Sequence, residues 1–291
     1  MSGLAPLPSP DEWTEEEDRL GFFGPDSVTW RIHTDPSYAV GGLRALMLQA
    51  LHPVAMDGVA SNSEGFKNDW WMRMTRTGQY VETLTFGTRT EARRMAARVR
   101  GLHRKLSGVE ETTGRAYRVD DVDLLLWVHN CEVDSLLSTA RRAGLQLSAE
   151  DADTYVLEHL AGARLVGIPE ALAPRTVADL DAYFEEIRPS LAVTPAASEG
   201  VRRLFVPPMR GWVQVLTPAR PAWGTFASLG FATLPRWARQ MYSMPGLPLT
   251  DAAATAALRA LRAALLAVPE RARWSPIVRA GFDRVAASRA A

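Results

Sequence analysis

The stretch from Thr88 to Gly108, TRTEARRMAARVRGLHRKLSG, constrains the fold of this chain most strongly. Thr88 and Glu91 have the spacing of a helix capping box, and Gly108 is the residue type that commonly ends a helix in a left-handed turn. Between them apolar residues recur at helical spacing, while six arginines occupy much of the remaining helix surface. The pattern predicts an amphipathic helix that places His103 on or beside its buried stripe.

A buried histidine needs partners for its ring nitrogens, because an unpaired buried polar group costs about 1–3 kcal/mol. A hydroxyl, a backbone carbonyl or a metal ion can serve as that partner. The functional interpretation of the chain therefore depends on what His103 binds.

The rest of the chain also follows helical patterns. A stripe that starts near Tyr38 runs into His52-Pro53, where the proline predicts a break, because it disfavours helical geometry in the residue before it. Further helices are predicted over about 66–86 and from Asp120 or Asp121 to a stop at Gly144. Two more are predicted to begin after Ser148 and after Thr176, and the region 250–290 is predicted to form two alanine-rich helices separated by Pro269. Residues 109–119 are predicted as a loop, since no convincing alternating strand is present. The sequence thus predicts an all-α, single-domain helical bundle over residues 21–291, preceded by a mobile N-terminal arm over residues 1–20.

Composition supports a globular protein and excludes several partners. The chain has 291 residues, of which 47% are hydrophobic and 23% charged, as is ordinary for a folded domain. Its 33 basic and 33 acidic residues give no net charge, so no nucleic-acid partner is expected. The N-terminus is proline-rich and then acidic, unlike a signal peptide, and no apolar run reaches the roughly 18 residues of a membrane span. These features predict a soluble cytoplasmic protein without a transmembrane segment, and none specifies an oligomeric state.

The absence of the corresponding sequence motifs excludes most classes of cofactor. The single Cys131 excludes an intramolecular disulfide and cysteine-rich zinc or haem-attachment sites, and its mid-helix position does not favour a thiolate-bound haem. None of the five histidines follows a glutamate at a distance of three residues, as a paired di-iron helix motif requires. Zinc-protease, hydrolase and nucleotide-binding motifs are absent as well. Histidines on buried faces with inward arginines suit a single-histidine haem site, although a buried helix histidine is more often a satisfied core residue.

Three blocks of sequence resemble a known family. They are GGLRALMLQALHPVAMDGV, DWWMRMTRTGQYVETLTFGTRTEARRMAARVRGLHRKLSG and YRVDDVDLLLWVHNCEVDSLL, which together span about residues 41–137. Their order and spacing resemble the MpaB-type oxygenases, which include the bacterial rubber oxygenase called latex clearing protein. The resemblance implies a globin-like helical core around a non-covalent haem b with its iron. It also implies a reaction of dioxygen with a hydrophobic small molecule, which is isoprenoid in the rubber-cleaving branch.

The resemblance also implies roles for individual residues. His103 matches the proximal iron ligand, and Arg73 and Thr77 match residues that line or support the haem pocket. The lysine described as a distal ligand in the latex-clearing branch falls at Arg76 in this chain. Because an arginine side chain stays protonated and has no lone pair for iron, an open or water-bound distal position is expected here.

For several other residues the sequence leaves two functional interpretations open. His129 lies on the predicted buried stripe of its helix and is the second candidate for the iron; otherwise it is a core histidine. His52 either lies near the pocket or satisfies loop groups at the helix break, and Asp57 is either a distal base or a solvated helix-end carboxylate. His33 and His159 are expected to be structural or surface residues.

Two further interpretations concern the chain as a whole. An aromatic segment over 212–242 is expected to be core or to line an apolar channel. The alternatives to an oxygenase are a non-catalytic haem-binding sensor or carrier, and a helical binding protein without a cofactor.

Overall fold

The computed structural model describes residues 13–62, 70–209, 211, 217, 219–244 and 246–290, and over these ranges the chain is overwhelmingly α-helical. The helices are α1 (Glu15–Leu20), α2 (Val28–His33), α3 (Tyr38–Gln49), α4 (Pro53–Asn62), α5 (Trp70–Phe86), α6 (Arg89–His103), α7 (Val122–Arg142), α8 (Ala149–Glu158), α9 (Leu160–Val166), α10 (Val177–Ile187), α11 (Pro195–Phe205), α12 (Ala219–Ala232), α13 (Arg236–Met241), α14 (Pro248–Leu266), α15 (Glu270–Arg273) and α16 (Pro276–Ala290). Short 3₁₀ turns lie at Glu170–Leu172 and Arg188–Ser190, and the strands are β1 (Ser107–Val109) and β2 (Ala116–Arg118). The all-α prediction is confirmed, whereas the globin-like arrangement of the core stays a prediction.

Helix boundaries follow the local signals in several places. The Thr88 side chain accepts a hydrogen bond from the Glu91 amide at 3.1 Å, while the Thr88 amide donates to the Glu91 carboxylate at 2.9 Å, so the predicted capping box is confirmed. Gly144 follows α7 with a φ of 94°, a left-handed conformation that glycine adopts without steric cost. The predicted break at the histidine–proline pair is also confirmed, because α4 begins at Pro53.

The predicted end of the helix at Gly108 is wrong. Helix α6 ends at His103, and Gly108 lies in β1, where it pairs with Tyr117 of β2 in an antiparallel hairpin. A side chain at Gly108 would place its Cβ 2.6 Å from the Tyr117 hydroxyl, so glycine is needed here for a close approach rather than for a helix cap. The hairpin also corrects the expectation of a structureless loop over 109–119.

The C-terminal region contains one more helix than the sequence predicts. The single-turn helix α15 follows Pro269 and separates α14 from α16. At the other end of the chain, α1 contacts α6 and α16, while residues 1–12 of the predicted arm lie outside the described residues.

The main core lies where α3 packs along α7 and α12 crosses α3. Glycines allow these helices to approach closely: a Cβ at Gly41 would lie 3.0 Å from Leu136 Cδ2, and a Cβ at Gly230 would lie 3.1 Å from Leu43 Cβ. Trp127 of α7 is fully buried, and its indole nitrogen donates to the Gln49 carbonyl at 2.9 Å. These contacts hold α7 in the centre of the bundle.

Helices α5 and α6 form an antiparallel hairpin beside this core. Leu84 of α5 packs against Ala92 and Ala96 of α6, together with Leu165 of α9. On the opposite side, Trp30, Phe86 and Phe282 form an aromatic cluster that joins α2, α5 and α16, with the Trp30 ring 5.0 Å from that of Phe86 and 4.9 Å from that of Phe282. None of the described helices has the length and apolarity needed to cross a membrane.

Candidate functional site

The open end of the α5–α6 hairpin brings two predicted site residues to the same level. Arg73 lies 86 − 73 = 13 residues before the end of α5, and His103 lies 103 − 89 = 14 residues after the start of α6. Because an α-helix rises about 1.5 Å per residue, both residues lie about 20 Å from the turn. The family-implied iron ligand and the family-implied pocket arginine therefore come from adjacent helices at one end of the hairpin.

The three predicted residues of α5 differ in their surroundings. Arg73 is half-buried, whereas Arg76 and Thr77 are exposed. The Thr77 hydroxyl donates to the Arg73 carbonyl at 3.1 Å, which is a local bond within the helix. Burial lowers the pKa of Arg73, and no carboxylate of a described residue offsets this effect. Arg73 is thus an enclosed cation that is suited to bind an anionic group of a ligand.

His103 is the last residue of α6 and is half-buried. Burial lowers its pKa, and the negative charge of Asp120 raises it in part. The imidazole is therefore neutral at pH 7 and has a lone pair available. The predicted buried stripe is wrong at the neighbouring Leu102, which is 55% exposed, so this end of α6 lies near the protein surface.

Helix α7 contributes His129 and Glu132, which lie one turn apart on the same face as Leu125 and Leu136. Burial lowers the pKa of His129 to about 4, and burial raises the pKa of Glu132 to about 7. Both side chains are nevertheless only half-buried by area. Gly162 of α9 lies against His129, since a Cβ there would be 3.9 Å from the imidazole Cε1.

Tyr80 connects this face of α7 to the hairpin. Burial raises the pKa of the Tyr80 hydroxyl, the negative charge of Glu132 raises it further, and the positive charge of Arg100 opposes both. Arg100 itself donates to the Leu165 carbonyl of α9. The Tyr80 hydroxyl of α5 is thus within electrostatic range of Arg100 of α6 and Glu132 of α7, and His129 lies one turn from Glu132 on α7. We call these four residues the interhelical site; Arg73 and His103 lie at the open end of the same hairpin.

A buried polar layer that the sequence did not reveal lies beside this site. His33 Nδ1 is 2.9 Å from the Thr85 hydroxyl, which itself donates to the Val81 carbonyl at 2.9 Å. The Thr85 hydroxyl must therefore accept a hydrogen bond from His33 Nδ1–H, and His33 Nε2 accepts one from the Tyr155 hydroxyl at 3.1 Å. Burial lowers the pKa of His33 to about 3, so the ring is neutral and its tautomer is determined by these bonds.

His159 completes the layer. Its ring centroid lies 4.4 Å from that of Tyr155, 5.5 Å from that of His33 and 6.1 Å from that of His129. Its Nε2 is buried and has no hydrogen-bond partner among the described residues. Burial lowers the pKa of His159 well below the usual value, and the neighbouring His33 and His129 add to this effect. The layer thus runs from Thr85 to the interhelical site.

The sequence predicts that His33 and His159 are structural or surface residues. Both are buried, with 5% and 6% of their surface exposed. The spacing of Tyr155 and His159, four residues apart, was a signal for one shared helical face. The contact between His33 and Tyr155 joins residues 122 positions apart, which no local pattern could show.

His52 and Asp57 belong to another part of the fold. His52 is buried, and its Nδ1 accepts a hydrogen bond from the Ala55 amide at 3.3 Å at the start of α4. Asp57 accepts a hydrogen bond from the Tyr117 hydroxyl at 2.6 Å and one from the Ser61 hydroxyl at 3.1 Å. These bonds tie both side chains to α4 and to the β-hairpin, and the hydrogen bonds of the described residues do not join either to the interhelical site.

The aromatic segment over 212–242 is described only in part, and Trp212 lies outside the described residues. In the part that is described, the Phe231 ring lies 5.7 Å from that of Tyr242, whose hydroxyl donates to the Met47 carbonyl at 2.7 Å. The Trp223 ring lies 5.6 Å from that of Trp70. These side chains pack onto the main core cluster.

A separate cavity of about 660 Å³ contains none of the predicted site residues. Its walls include two close ion pairs, with Arg44 2.6 Å from Asp134 and Arg239 2.7 Å from Asp251. We assign these pairs to the packing of α3, α7, α13 and α14. Over the described ranges, no group of three or more histidine, cysteine, aspartate or glutamate side chains is arranged to hold a metal ion.

Comparison with known proteins identifies the family. A family model described as the catalytic domain of ER-bound oxygenase mpaB/B′ and rubber oxygenase matches residues 30–267. The chain belongs to this oxygenase family. The matched range contains the whole interhelical site, Arg73, His103 and the buried polar layer, so the family resemblance read from the sequence is confirmed. Comparisons with curated proteins and with solved structures give no match.

Proposed function

We propose that this protein is a haem b-dependent oxygenase that uses dioxygen on a hydrophobic small molecule. The observation that carries the proposal is the match to an oxygenase catalytic domain over residues 30–267, because the interhelical site lies within that range. Dioxygen and a small-molecule substrate follow from the oxygenase family, whereas the haem is our inference.

The residues around the site fit a haem. A haem needs one neutral imidazole for its iron, cations for its two propionates and walls that exclude water. His103 and His129 both have lowered pKa values and thus carry a free lone pair at pH 7. Arg73 is an enclosed cation without a described carboxylate partner, which suits a propionate. We assign His103 as the iron ligand and keep His129 as the second candidate.

The bound haem would supply the binding and activation of dioxygen. The protein's own residues would set its surroundings. The negative charge of Asp120 beside His103 favours a more basic imidazole, as carboxylates near metal-bound histidines do. Arg76 could donate hydrogen bonds to a bound ligand, but it offers no lone pair that could bind iron.

The first experiment is the visible absorption spectrum of protein purified from haem-replete cells. A strong band at about 400 nm is expected for bound haem. In His103→Gly the band should shift or disappear, and added imidazole should restore it by occupying the vacated space. His52→Gln, which lies at the start of α4, serves as the matched control and should keep the wild-type spectrum.

The outcomes separate the possible assignments. If the absorption band is unchanged in His103→Gly but lost in His129→Gln, His129 is the iron ligand instead of His103. Wild-type haem binding without consumption of dioxygen, tested with a panel of isoprenoid and aromatic hydrocarbons, would indicate a sensor or carrier. A colourless preparation from haem-replete cells would contradict the proposal and favour a helical binding protein without a cofactor.

A further inference from the structure

The separate cavity of about 660 Å³ has the size of a small-molecule binding site. It lies between α3, α7, α10, α13 and α14, and exposed side chains of α10 and α13 line part of it. One part of its wall is apolar and consists of Phe184, Leu234, Pro235 and Trp237, whereas most of the remaining side chains are charged. A wall of this composition suits a ligand that combines an apolar body with a charged group.

Three arginines form the buried charged wall of the cavity, and short contacts link them. Arg142 Nη1 donates to the last carbonyl of α12 at 3.2 Å, and Arg44 Nε donates to the next carbonyl of the chain at 3.0 Å. One oxygen of the Asp251 carboxylate lies 2.7 Å from Arg239 Nη2 and 3.7 Å from Arg142 Nη2. The three guanidinium groups therefore lie next to one another, and two of them, Arg44 and Arg239, keep only 2% and 5% of their surface exposed.

Two of these arginines have hydrogen-bond donors to spare. Arg44 Nη1 lies 2.6 Å from both an Asp134 oxygen and the Ser135 hydroxyl, whereas Arg44 Nη2 has no hydrogen bond to a described residue. The buried Nε of Arg239 likewise has no partner in the described part of the chain. Arg142 differs, since all three of its nitrogens donate. Because a buried donor without an acceptor costs free energy, the wall is suited to receive an acceptor from a ligand.

The balance of charge indicates the sign of that ligand. The three arginines of the buried wall face two carboxylates, those of Asp134 and Asp251, so one positive charge is not compensated. Burial lowers the pKa of Arg142, the Asp251 carboxylate opposes this effect, and the charges of the other two arginines add to it. The more exposed wall is balanced, because its charged residues are Asp181, Glu185, Arg188 and Arg236. One negative charge on a ligand would therefore neutralise the cavity.

We propose that this cavity binds a small organic acid with a flat apolar body, such as an aromatic carboxylate. The carboxylate of the ligand accepts hydrogen bonds from the spare donors of Arg44 and Arg239, because a guanidinium group matches the geometry of a carboxylate. The apolar body lies against Phe184 and Trp237, whose ring centroids are 6.3 Å apart. Arg188 lies 5.0 Å from the centroid of the Trp237 ring and stabilises the position of that ring. The cavity shares no residue with the interhelical site, so the proposal does not depend on haem binding.

The test is isothermal titration calorimetry of the full-length protein with 2-naphthoate. Saturable binding of one molecule is expected, and 2-naphthalenemethanol, which has the same rings without the charge, should bind at least about tenfold more weakly. Arg239→Lys keeps the positive charge but loses the forked donors, so it should weaken 2-naphthoate by about tenfold or more. Arg279→Lys, the same change at an exposed position on α16, is the matched control and should keep the wild-type affinity.

Trp237→Ala is a second variant, at a partly exposed position, and it tests the apolar wall if Arg239→Lys does not fold. It should weaken 2-naphthoate by about 2–10-fold through loss of the ring contact. The proposal is overturned if binding does not saturate, if the acid and the alcohol bind equally, or if both variants keep the wild-type affinity. Loss of binding in Arg73→Gln but not in Arg239→Lys would place the acid at the open end of the α5–α6 hairpin instead. Inorganic phosphate that competes as strongly as 2-naphthoate would overturn the assigned class of ligand.

Discussion

Replacing Glu132 with glutamine should stabilise the protein at alkaline pH and have little effect at acidic pH. Burial raises the pKa of this carboxyl from 4.5 to about 7 in the folded protein. The folded state therefore holds a proton that the unfolded chain releases, and the native carboxyl must ionise inside the protein at higher pH. Glutamine has nearly the same shape and never ionises.

The magnitude follows from the two pKa values. Below about pH 4.5 the carboxyl is protonated in both states, so its contribution to stability is complete. As the pH rises from about 4.5 to 7, the folded protein binds more protons than the unfolded chain, so the free energy of unfolding falls. The difference of 7 − 4.5 = 2.5 in pKa corresponds to about 3.5 kcal/mol in total, at about 1.4 kcal/mol per pKa unit. Above about pH 7 the loss is complete.

Urea unfolding of the wild type and of Glu132→Gln, measured from about pH 4.5 to pH 8, tests this directly. The free-energy difference between the two proteins should grow by about 3 kcal/mol in favour of the variant over this range. The buried histidines do not interfere, because they are present in both proteins. Their lowered pKa values make both proteins lose stability as the pH falls below 6.5.

Glu185→Gln provides the control, and its difference from the wild type should stay constant with pH. If the Glu132→Gln difference is equally constant, the carboxyl ionises in the folded protein as it does in water. The burial of the Glu132 carboxyl would then be wrong.

Three further changes test the packing of the bundle by urea or thermal unfolding. Gly230→Ala should lower the free energy of unfolding by about 1–3 kcal/mol, because the new Cβ would press on α3. Gly224→Ala on the same helix points into open space and should raise the free energy of unfolding by up to about 1 kcal/mol. Equal effects of the two changes would contradict the close crossing of α12 and α3. Thr88→Ala should lower the free energy of unfolding by about 1 kcal/mol, because α6 loses its N-terminal cap. An unchanged free energy would show that the capping box contributes nothing to stability. Arg44→Ala should lower the free energy of unfolding by about 3–5 kcal/mol, because it leaves the Asp134 carboxylate without its buried partner. A decrease below about 1 kcal/mol would show that the pair is exposed to solvent.

Local signals in the sequence determined where the main helices begin and end. The threonine–glutamate box at Thr88, the left-handed Gly144 and the break before Pro53 each act through the backbone of a few neighbouring residues. Such signals need no tertiary contact to operate, so the all-α class was predictable. The order and spacing of the sequence blocks were likewise enough to recognise the oxygenase family.

Helical periodicity was less informative about which faces pack. The sequence predicted one apolar stripe on α7, yet α7 contacts α3, α8, α9 and α14 and is buried around much of its circumference. The predicted face with His129 instead borders the interhelical site. Periodicity reports which side of a helix is apolar but not which helix covers it, and Glu132 therefore gave no signal in the sequence.

The site itself was decided by tertiary structure. Gly108 resembles a helix stop in the sequence, but the ring of Tyr117 on the opposite strand makes it a strand residue. His33 joins Thr85 and Tyr155 across more than fifty and more than one hundred residues of chain. The sequence alone determined the helices and the family, because both depend on short-range order. Only the packing of distant helices could bring His129, Glu132 and the buried polar layer together, since burial and proton affinity depend on neighbours that lie far apart in the chain.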